Sequence, residues 1–405
     1  MLKIAIIGFG IVGSGVYEVI RKNKESITKK AGNEIDIKYI LDIRDFSNHE
    51  ESNLFVDNFD ILLSDSEVDV IVETMGGLNP AYEYTKRALE AGKSVVTSNK
   101  ELVATYGDEL LKIAQDNGCS YLFEASVGGG IPIIRPLNQC LAANEICSIT
   151  GILNGTTNYI LTQMIKNGQS FEEALDDARV QGYAESNPSA DVEGHDACRK
   201  ISILTSLATG KKIESSKVYT QGITDITLRD VEYAGTLGYV IKLIGMSKSC
   251  ENGKVFVMVA PMMVSKEHPL SSVEGVNNAI MVNGNAIGDA MFYGPGAGKL
   301  PTASAVVADV IDIAKNRGAD RIIWAGSDKD MICPQNEAVF KYFVRVGTDI
   351  SSAKAQVRSL FGDVACIELY DDEFGFVTDK ITEGTLKAQL TALSYKVIGF
   401  TRILN

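Results

Sequence analysis

Short apolar runs alternate with amphipathic stretches through about the first 130 residues, and this alternation predicts repeated strand–helix units. The predicted strands are Lys3–Ile7, Ile35–Leu41, Asp69–Glu73, Ser94–Thr97 and Ser120–Glu124. Helices are predicted from Ile11 to about Arg21 and, with Asn79 as N-cap and Pro80 as first helical residue, up to Glu90. Such units build a parallel sheet whose ligands bind at the carboxyl ends of the strands.

The pattern changes from about residue 131 to 300, where strands and helices no longer alternate regularly. Strands are predicted at 148–153 and 254–264, and helices after Asn154–Asn158, at about 170–181 and at 194–209. A glycine-rich turn at 294–298 precedes an apolar helix that ends at Asn316. This region reads as an α+β domain.

The tail from about residue 335 has the order βαββαβ, which is the ferredoxin-like arrangement. Its predicted elements are 339–346, 351–361, 364–370, 374–378, 383–393 and 395–402. The predicted domains are therefore 1–130, 131–316 and 336–405, with 317–335 as a linker. The helix at 301–316 is a candidate to return to the first domain.

Composition narrows the class of protein. The 405 residues carry a net charge of −13, which argues against nucleic acid or an anionic membrane as a partner. No apolar run reaches the length of a membrane span. Seven cysteines without a Cys-x-x-Cys pattern indicate reduced thiols and a cytoplasmic location, and three histidines without ligand spacing make a zinc site improbable.

A glycine motif follows the first strand directly. Gly8, Gly10 and Gly13 form Gly-x-Gly-x-x-Gly, which predicts a tight turn, a close backbone approach to a pyrophosphate, and close packing of strand and helix. The alternative is a glycine-rich turn without a ligand. After the second strand, Asp42 would bind the ribose of NAD, whereas Arg44 would favour the extra phosphate of NADP, so the cofactor choice stays open.

Polar residues stand at the ends of later strands and in one acidic segment. Thr74, Ser98 and Lys100 follow strands, so Lys100 could reach a bound nicotinamide, although a surface lysine that starts a helix is the alternative. In the segment 182–200, acids precede Lys200, and Asp196 lies one helical turn before it. This set suits a small substrate with an amine and a reducible carbonyl; a solvated acidic loop with a surface ion pair is the alternative.

Seven motifs together carry a family resemblance over nearly the whole chain. They are GFGIVG at 8–13, ETMGG at 73–77, SNKELVA at 98–104, EASVGGGIP at 124–132, LNGTTNYIL at 153–161, GYAESNPSADVEGHDACRK at 182–200 and GPGAGKLPTASAVV at 294–307. The chain resembles homoserine dehydrogenase, which interconverts aspartate 4-semialdehyde and homoserine with NAD or NADP in amino-acid biosynthesis. The resemblance implies an α/β fold: a Rossmann-type parallel sheet domain, an α+β catalytic and dimerisation domain, and a C-terminal ligand-sensing ACT module.

The resemblance also implies roles for individual residues. Lys200 matches the proton donor to the carbonyl oxygen, and Lys100 matches its partner near the nicotinamide. Glu185, Asp191 and Asp196 match acids of the substrate pocket, with Asp196 also counted among the catalytic residues. The matches to a monovalent-cation (sodium) site are Glu124, Val127, Gly129 and Ile131. Motif, strand ends and resemblance together give these candidate cofactor contacts: Gly8, Gly10, Ile11, Val12, Gly13, Arg44, Thr74, Ser98, Lys100 and Gly298.

The chain departs from the family pattern at two places. Asn187-Pro188 stands where the family commonly has Asp-Pro, and the tail loop at 347–351 lacks the Asp-x-Pro-Gly turn of many ACT modules. The resemblance implies a homodimer or homotetramer and an amino-acid effector. Two other functions remain as alternatives: a semialdehyde dehydrogenase that works through a cysteine thioester, and a binding protein without turnover.

Overall fold

The computed structural model describes residues 1–251, 253–316, 324, 326, 331–347 and 350–404. The strands are β1 (Leu2–Ile7), β2 (Ile35–Leu41), β3 (Phe55–Val56), β4 (Val70–Glu73), β5 (Ser94–Thr97), β6 (Tyr121–Leu122), β7 (Ile146–Ile152), β8 (Tyr219–Thr220), β9 (Tyr239–Ser249), β10 (Val255–Ser265), β11 (Asn277–Gly284), β12 (Gly288–Pro295), β13 (Val339–Gly347), β14 (Cys366–Tyr370), β15 (Glu373–Val377), β16 (Ile381–Thr382) and β17 (Lys396–Ile403). The helices are α1 (Ile11–Lys22), α2 (Lys24–Ala31), α3 (Phe59–Ser64), α4 (Ala81–Glu90), α5 (Lys100–Asp116), α6 (Gly155–Asn167), α7 (Phe171–Val180), α8 (Ser189–Val192), α9 (His195–Thr209), α10 (Leu228–Thr236), α11 (Lys299–Lys315), α12 (Ile350–Phe361) and α13 (Glu383–Ala392).

The chain forms two compact units. The first comprises Met1–Ile149, Arg199–Lys217 and Ile280–Lys329, and the second comprises Thr150–Cys198, Val218–Ala279 and Asp330–Asn405. The predicted boundaries near residues 130 and 335 stay predictions, and most of the predicted linker lies outside the described residues. Among the described helices, none is both long enough and apolar enough to cross a membrane.

A parallel sheet is the framework of the first unit. Its strand order is β3-β2-β1-β4-β5-β6, and each neighbouring pair is parallel. This is the order of doubly wound dinucleotide-binding sheets, in which the order reverses between β1 and β4. Ligands bind at that reversal, outside the carboxyl ends of the strands, so Gly8 and Thr74 lie where a dinucleotide is expected.

Helices α1 and α11 pack together over this sheet. Val16 of α1 and Ala303, Val306 and Val310 of α11 are buried in one apolar cluster with the inner strands. A Cβ on Gly15 would lie 2.8 Å from the Lys299 carbonyl oxygen, which shows how closely the two helices approach. The apolar helix after the glycine loop is therefore part of the first unit.

The second unit contains a mixed sheet that incorporates the tail. Its strands neighbour one another in the order β9-β10-β17-β13-β15-β14, with β9 and β10 antiparallel and β10 and β17 parallel. The tail has the predicted βαββαβ order, with the two-residue strand β16 in addition. Together with the parallel sheet this confirms the predicted α/β class, with a Rossmann-like sheet and a mixed-sheet domain.

Several predicted element boundaries were wrong. The N-cap of α4 is Pro80, one residue later than predicted. The predicted strand at Ser120–Glu124 shrinks to β6, because Glu124–Ser126 forms a 3₁₀ turn. The turn begins at Glu124, whose carboxylate accepts hydrogen bonds from N–H groups of the loop that follows.

Candidate active site

The turn after β1 has the backbone geometry that the glycine motif predicts. Gly8 has a φ of +86°, in the left-handed region. A Cβ on Gly13 would lie 1.9 Å from the Gly8 carbonyl oxygen and 2.8 Å from Thr74 Oγ1, so only glycine allows this approach of strand and helix. By contrast, a Cβ on Gly10 would meet no described atom within 4 Å. Space next to Gly10, at the N-terminus of α1, is therefore open to a phosphate.

Thr74 ties the ends of β1 and β4 together at this turn. Its hydroxyl donates to the carbonyl oxygens of Ile7 (3.0 Å) and Gly8 (2.8 Å). Ile11 and Val12 begin α1, and Ile11 is 72% exposed. The large exposed side chain of Ile11 and the free space at Gly10 lie on the same turn, which suits contact with a ligand.

Asp42 and Arg44 form a local pair at the end of β2. The Asp42 carboxylate accepts from the Phe9 N–H (2.6 Å), and the Arg44 guanidinium donates to it from Nε (2.9 Å) and Nη2 (2.8 Å). The hydrogen bond from Arg44 is the main reason that the pKa of Asp42 lies well below its usual value. Asp42 and Arg44 are thus in contact just after β2, and the Arg44 side chain is half-exposed.

Glu73, at the end of β4, organises the neighbouring strand ends. Its buried carboxylate accepts from Thr97 Oγ1 (2.5 Å) and from the Met75 N–H (2.7 Å). Thr97 in turn accepts from the Asn99 N–H (2.9 Å), and Asn99 caps α5, whose first residue is Lys100. Burial raises the pKa of Glu73, while these hydrogen bonds act in the opposite direction. A buried acid thereby fixes the backbone on which Ser98 and Lys100 stand.

Arg199 of α9 and Lys212, which follows α9, each form an ion pair with a residue of α5. Arg199 Nη2 lies 3.1 Å from Glu101 Oε1, and Lys212 Nζ lies 2.7 Å from Asp108 Oδ1. Glu101 follows Lys100 and Arg199 precedes Lys200, so the first pair brings the backbones that bear the two lysines near each other. Lys200 is buried, with 7% exposure.

The loop after β6 is built around the carboxylate of Glu124. Oε1 accepts from the N–H groups of Ile133 (2.6 Å) and Ile134 (2.8 Å), and Oε2 accepts from that of Arg135 (2.8 Å). A carboxylate offers about four lone-pair positions, so these three donors leave little capacity for another partner. Among the described residues, no cluster of three or more histidine, cysteine or acidic side chains could hold a metal ion.

The same loop packs closely on the glycine turn before α11. Gly129 has a φ of +60°, and a Cβ there would lie 2.3 Å from the Gly296 carbonyl oxygen. The Gly130 N–H donates to the Pro295 carbonyl (3.2 Å). Gly298, with a φ of +120°, is the N-cap of α11. Val127, Gly129, Ile131 and Gly298 thus belong to one pair of interlocked loops in the first unit.

Two acids of the 182–200 segment contact Asn154 in the second unit. The Asn154 amide donates to Asp191 Oδ1 (2.7 Å) and to Asp196 Oδ2 (2.9 Å). Its own oxygen accepts from the Thr157 N–H (2.8 Å) and caps α6. Asp196 is buried, whereas Glu185 is exposed. Asp191 and Asp196 therefore meet at one amide.

Three contributors to this geometry were not assigned a role from the sequence: Glu73, Asn154 and the Glu101–Arg199 pair. The cap could have been predicted for Asn154, because it stands just before a predicted helix and Asn is a preferred N-cap residue. Its second contact, to the two aspartates, depends on residues 37 and 42 positions later and leaves no local pattern.

Comparison with known protein families agrees with this geometry. Residues 8–124 match the family model described as "Homoserine dehydrogenase, NAD binding domain", and residues 132–311 match the model described as "Homoserine dehydrogenase". The chain belongs to the homoserine dehydrogenase family. It is therefore an NAD(P)-dependent oxidoreductase that acts on the CH–OH group of homoserine in amino-acid biosynthesis.

Individual homoserine dehydrogenases are similar to this chain over most of its length. Homoserine dehydrogenase of Bacillus subtilis (strain 168) is 42% identical over 320 residues, which is 78% of this chain and 73% of the relative. That of Neisseria gonorrhoeae is 41% identical over 85% of this chain and 81% of the relative.

Solved structures of the family have the same fold. A homoserine dehydrogenase from Thiobacillus denitrificans superimposes with a TM-score of 0.93 at 35% identity, covering 100% of this chain and 98% of the other. A hyperthermophilic archaeal homoserine dehydrogenase in complex with NADPH gives a TM-score of 0.66 at 31% identity, covering 77% and 97%.

Proposed function

We propose that Lys200 donates the proton to the carbonyl oxygen of aspartate 4-semialdehyde and accepts it back when homoserine is oxidised, with Lys100 as its cationic partner. A bound NAD(P) supplies or takes up the hydride. As hydride adds to the carbonyl carbon, negative charge grows on the oxygen, and an ammonium group stabilises that charge and delivers the proton. What supports this assignment is the burial of Lys200 together with the 3.1 Å ion pair between Arg199 and Glu101, each adjacent to one of the two lysines.

Replacing Lys200 by methionine tests the assignment. Methionine keeps an unbranched side chain but has no proton to give, so kcat should fall by about 10² or more, with cofactor affinity little changed. Steady-state kinetics and cofactor titration by fluorescence measure the two effects. The exposed lysine on α5 provides a matched control, since Lys112→Met should keep wild-type kinetics. A near wild-type kcat for Lys200→Met would remove the proton-donor role.

The acids Glu185, Asp191 and Asp196 are proposed to hold the substrate ammonium or to order water near it. Asp191 and Asp196 share the Asn154 amide, and this supports a common task for the two carboxylates. Glu185→Gln should mainly raise the KM for homoserine. Glu193→Gln is the control, because Glu193 is also exposed, lies in the same segment and contacts His195 instead. An unchanged KM for Glu185→Gln would exclude contact with substrate.

The proposed cofactor site comprises the glycine turn with Ile11 and Val12, together with Arg44, Thr74, Ser98, Lys100 and Gly298. The open space at Gly10 and the N-terminus of α1 fit a pyrophosphate, and this fit rests on the shape of the turn. Arg44 is proposed to meet the 2′-phosphate of NADP. Arg44→Ala should therefore raise the KM for NADPH about tenfold or more and leave that for NADH nearly unchanged. Equal effects on both cofactors would contradict a phosphate contact.

We propose that a sodium ion binds in the loop that contains Glu124, Val127, Gly129 and Ile131. Backbone carbonyl oxygens would be its main ligands. All donors of this set are oxygens, which suits a hard cation. Glu124 already accepts three peptide N–H groups, so its carboxylate can contribute little. Thermal unfolding in sodium chloride and in choline chloride at equal ionic strength tests the site, because a bound ion raises the Tm in sodium alone.

The tail at 336–405 is proposed to be an ACT-type module that binds an amino-acid effector, with 1–130 and 131–316 as the cofactor and catalytic domains. The tail loop lacks the usual Asp-x-Pro-Gly turn, and its residues 348–349 lie outside the described part of the chain. Steady-state rates with and without threonine test the effector. We also propose a homodimer or homotetramer in the cytoplasm; light scattering after size exclusion gives the subunit number.

A further inference from the structure

Two cysteines of the second unit, far apart in sequence, lie side by side. Cys250 follows β9, and Cys333 stands in the segment that leads into β13. Their Sγ atoms are 2.8 Å apart, inside the usual separation of two non-bonded sulfur atoms. Both residues are partly exposed and both are free thiols. The homoserine dehydrogenase reaction uses neither of them.

The main chain holds both cysteines beside the first residue of β10. The Cys333 N–H donates to the Val255 carbonyl (2.9 Å), and the Val255 N–H donates to the Met331 carbonyl (2.9 Å). Val255 also pairs with Ile332 in a parallel bridge. On the other side, the Cys250 N–H donates to the Lys254 carbonyl (2.9 Å). Backbone hydrogen bonds thus hold the main chain of both cysteines in place, so the contact between the sulfur atoms does not depend on side-chain rotamers alone.

We propose that Cys250 and Cys333 form a reversible disulfide that joins the segment before β13 to the β9–β10 turn. A low-molecular-weight disulfide such as glutathione disulfide is the oxidant. One cysteine thiolate attacks a glutathione sulfur, forming a mixed disulfide and releasing one glutathione thiol. The second cysteine then attacks the protein sulfur of that mixed disulfide and releases the second glutathione. The two cysteines lose two electrons and two protons, and glutathione disulfide is reduced to two thiols.

The environment of Cys333 suggests the order of the two attacks. The pKa of Cys333 is raised to about 12; burial is the largest cause, and the hydrogen bond with the Cys250 thiol is the second. Cys333 is therefore a poor first nucleophile at neutral pH, and Cys250 is expected to react first. The contribution of the Cys250 thiol to that pKa disappears once Cys250 is in the mixed disulfide, which favours the second attack.

A disulfide between Cys250 and Cys333 would stabilise the chain, because the two cysteines are far apart in sequence. It closes a long loop between β9 and the entry to β13, and a cross-link over a long loop restricts the unfolded chain strongly. A disulfide requires an S–S distance of about 2.05 Å, so the two sulfurs need to move by less than 1 Å from their present contact. Oxidation is thus expected to raise stability without rearranging the surrounding strands.

Incubating the full-length enzyme with glutathione disulfide and blocking the remaining thiols tests the proposal. Peptide mass spectrometry without reductant should show a peptide with Cys250 linked to one with Cys333, and dithiothreitol should remove the link. The oxidised enzyme should unfold several degrees higher than the reduced one.

Three serine variants sharpen the test. Cys250→Ser and Cys333→Ser should each lose both the linked peptide and the Tm shift, and Cys147→Ser, which removes an exposed cysteine elsewhere, should keep both. Glutathione adducts without the internal link, a link between other cysteines, or a link without a Tm shift would each overturn the proposal.

Discussion

At the scale of single residues, Asn154 joins the start of α6 to two acids of the proposed substrate site through one side chain. Its oxygen caps α6, and its amide nitrogen donates to two carboxylates. Two carboxylates held close together repel each other, and a donor that both share offsets this repulsion. Asn154 is therefore a positioning residue for Asp191 and Asp196.

Serine and alanine at position 154 separate these two contributions. Serine still caps a helix but has no amide, whereas alanine does neither. We expect both Asn154→Ser and Asn154→Ala to lower kcat/KM for homoserine about tenfold or more. The alanine variant should be about 1 kcal/mol less stable than the serine variant in urea unfolding, because only serine keeps the cap. Wild-type kcat/KM in the serine variant would show that the amide does not position the acids.

Lys242 gives the second unit a pH-dependent stability. It is buried in β9, where its Nζ donates to the Val273 carbonyl (2.6 Å) and to Asn158 Oδ1 (3.1 Å). Burial lowers its pKa from 10.5 to about 8. Below pH 8 the folded and unfolded chains both carry the proton, and the folded state bears the cost of the buried charge. Between about pH 8 and 10.5 the unfolded chain binds more protons, so this lysine makes stability rise with pH.

The expected rise is at most about 1.4 kcal/mol per pH unit for this one group. Lys242→Met should abolish it, and urea unfolding between pH 7.5 and 10 measures the difference from wild type. Lys248→Met is the control, because Lys248 lies on the same strand with an exposed side chain. A wild-type pH dependence in Lys242→Met would contradict the buried charge.

At the scale of elements, the strand–turn–helix unit at β1 and α1 distinguishes two glycines by their surroundings. A Cβ on Gly13 meets the Gly8 carbonyl, while a Cβ on Gly10 meets no described atom within 4 Å. Glycine at position 13 is thus required by the fold, whether or not a cofactor is bound. Gly10 is expected to matter only when a cofactor occupies the space beside it.

Alanine at each position should give opposite patterns. Gly10→Ala should keep the wild-type Tm without cofactor and weaken NAD(P)H binding about tenfold or more, as measured by fluorescence titration. Gly13→Ala should lose about 3 kcal/mol or more of stability, because the turn must open to admit a methyl group. If Gly10→Ala bound the cofactor with wild-type affinity, the pyrophosphate would not lie at this turn.

Local pattern was enough to predict most elements, since apolar periodicity and caps act within a few residues. The strand β2 was predicted with both ends correct, and α1 to within one residue. The predictions went wrong where distant contacts decide the backbone, as at Glu124, whose carboxylate binds the N–H groups of 133–135 and whose own N–H donates to Asp309 (2.8 Å). The two-residue strand β16 was missed because only its pairing with β13 defines it.

At the scale of the whole molecule, the tail is part of the fold of the second unit. Strand β17 pairs with β10 through Met262 and Met263, and the Leu404 N–H donates to the Met263 carbonyl (2.9 Å). Arg345 of β13 is buried and bonded to Asp230 (2.7 Å) of α10. A sequence order of βαββαβ indicates a separable module, and it carries no information about these links to earlier elements.

Deleting residues 336–405 should therefore destabilise the second unit. The cut exposes the buried edge of β10 and leaves Asp230 without its guanidinium partner, so we expect a lower Tm and a broader unfolding transition than in the full chain. Circular dichroism and calorimetry measure this. Lys354→Ala removes a partly exposed ion pair inside the tail and should shift the Tm by no more than about 1 °C. A truncated enzyme with full-length Tm and a sharp transition would show that the tail is a detachable module, and in that case its pairing with β10 contributes nothing to the rest of the chain.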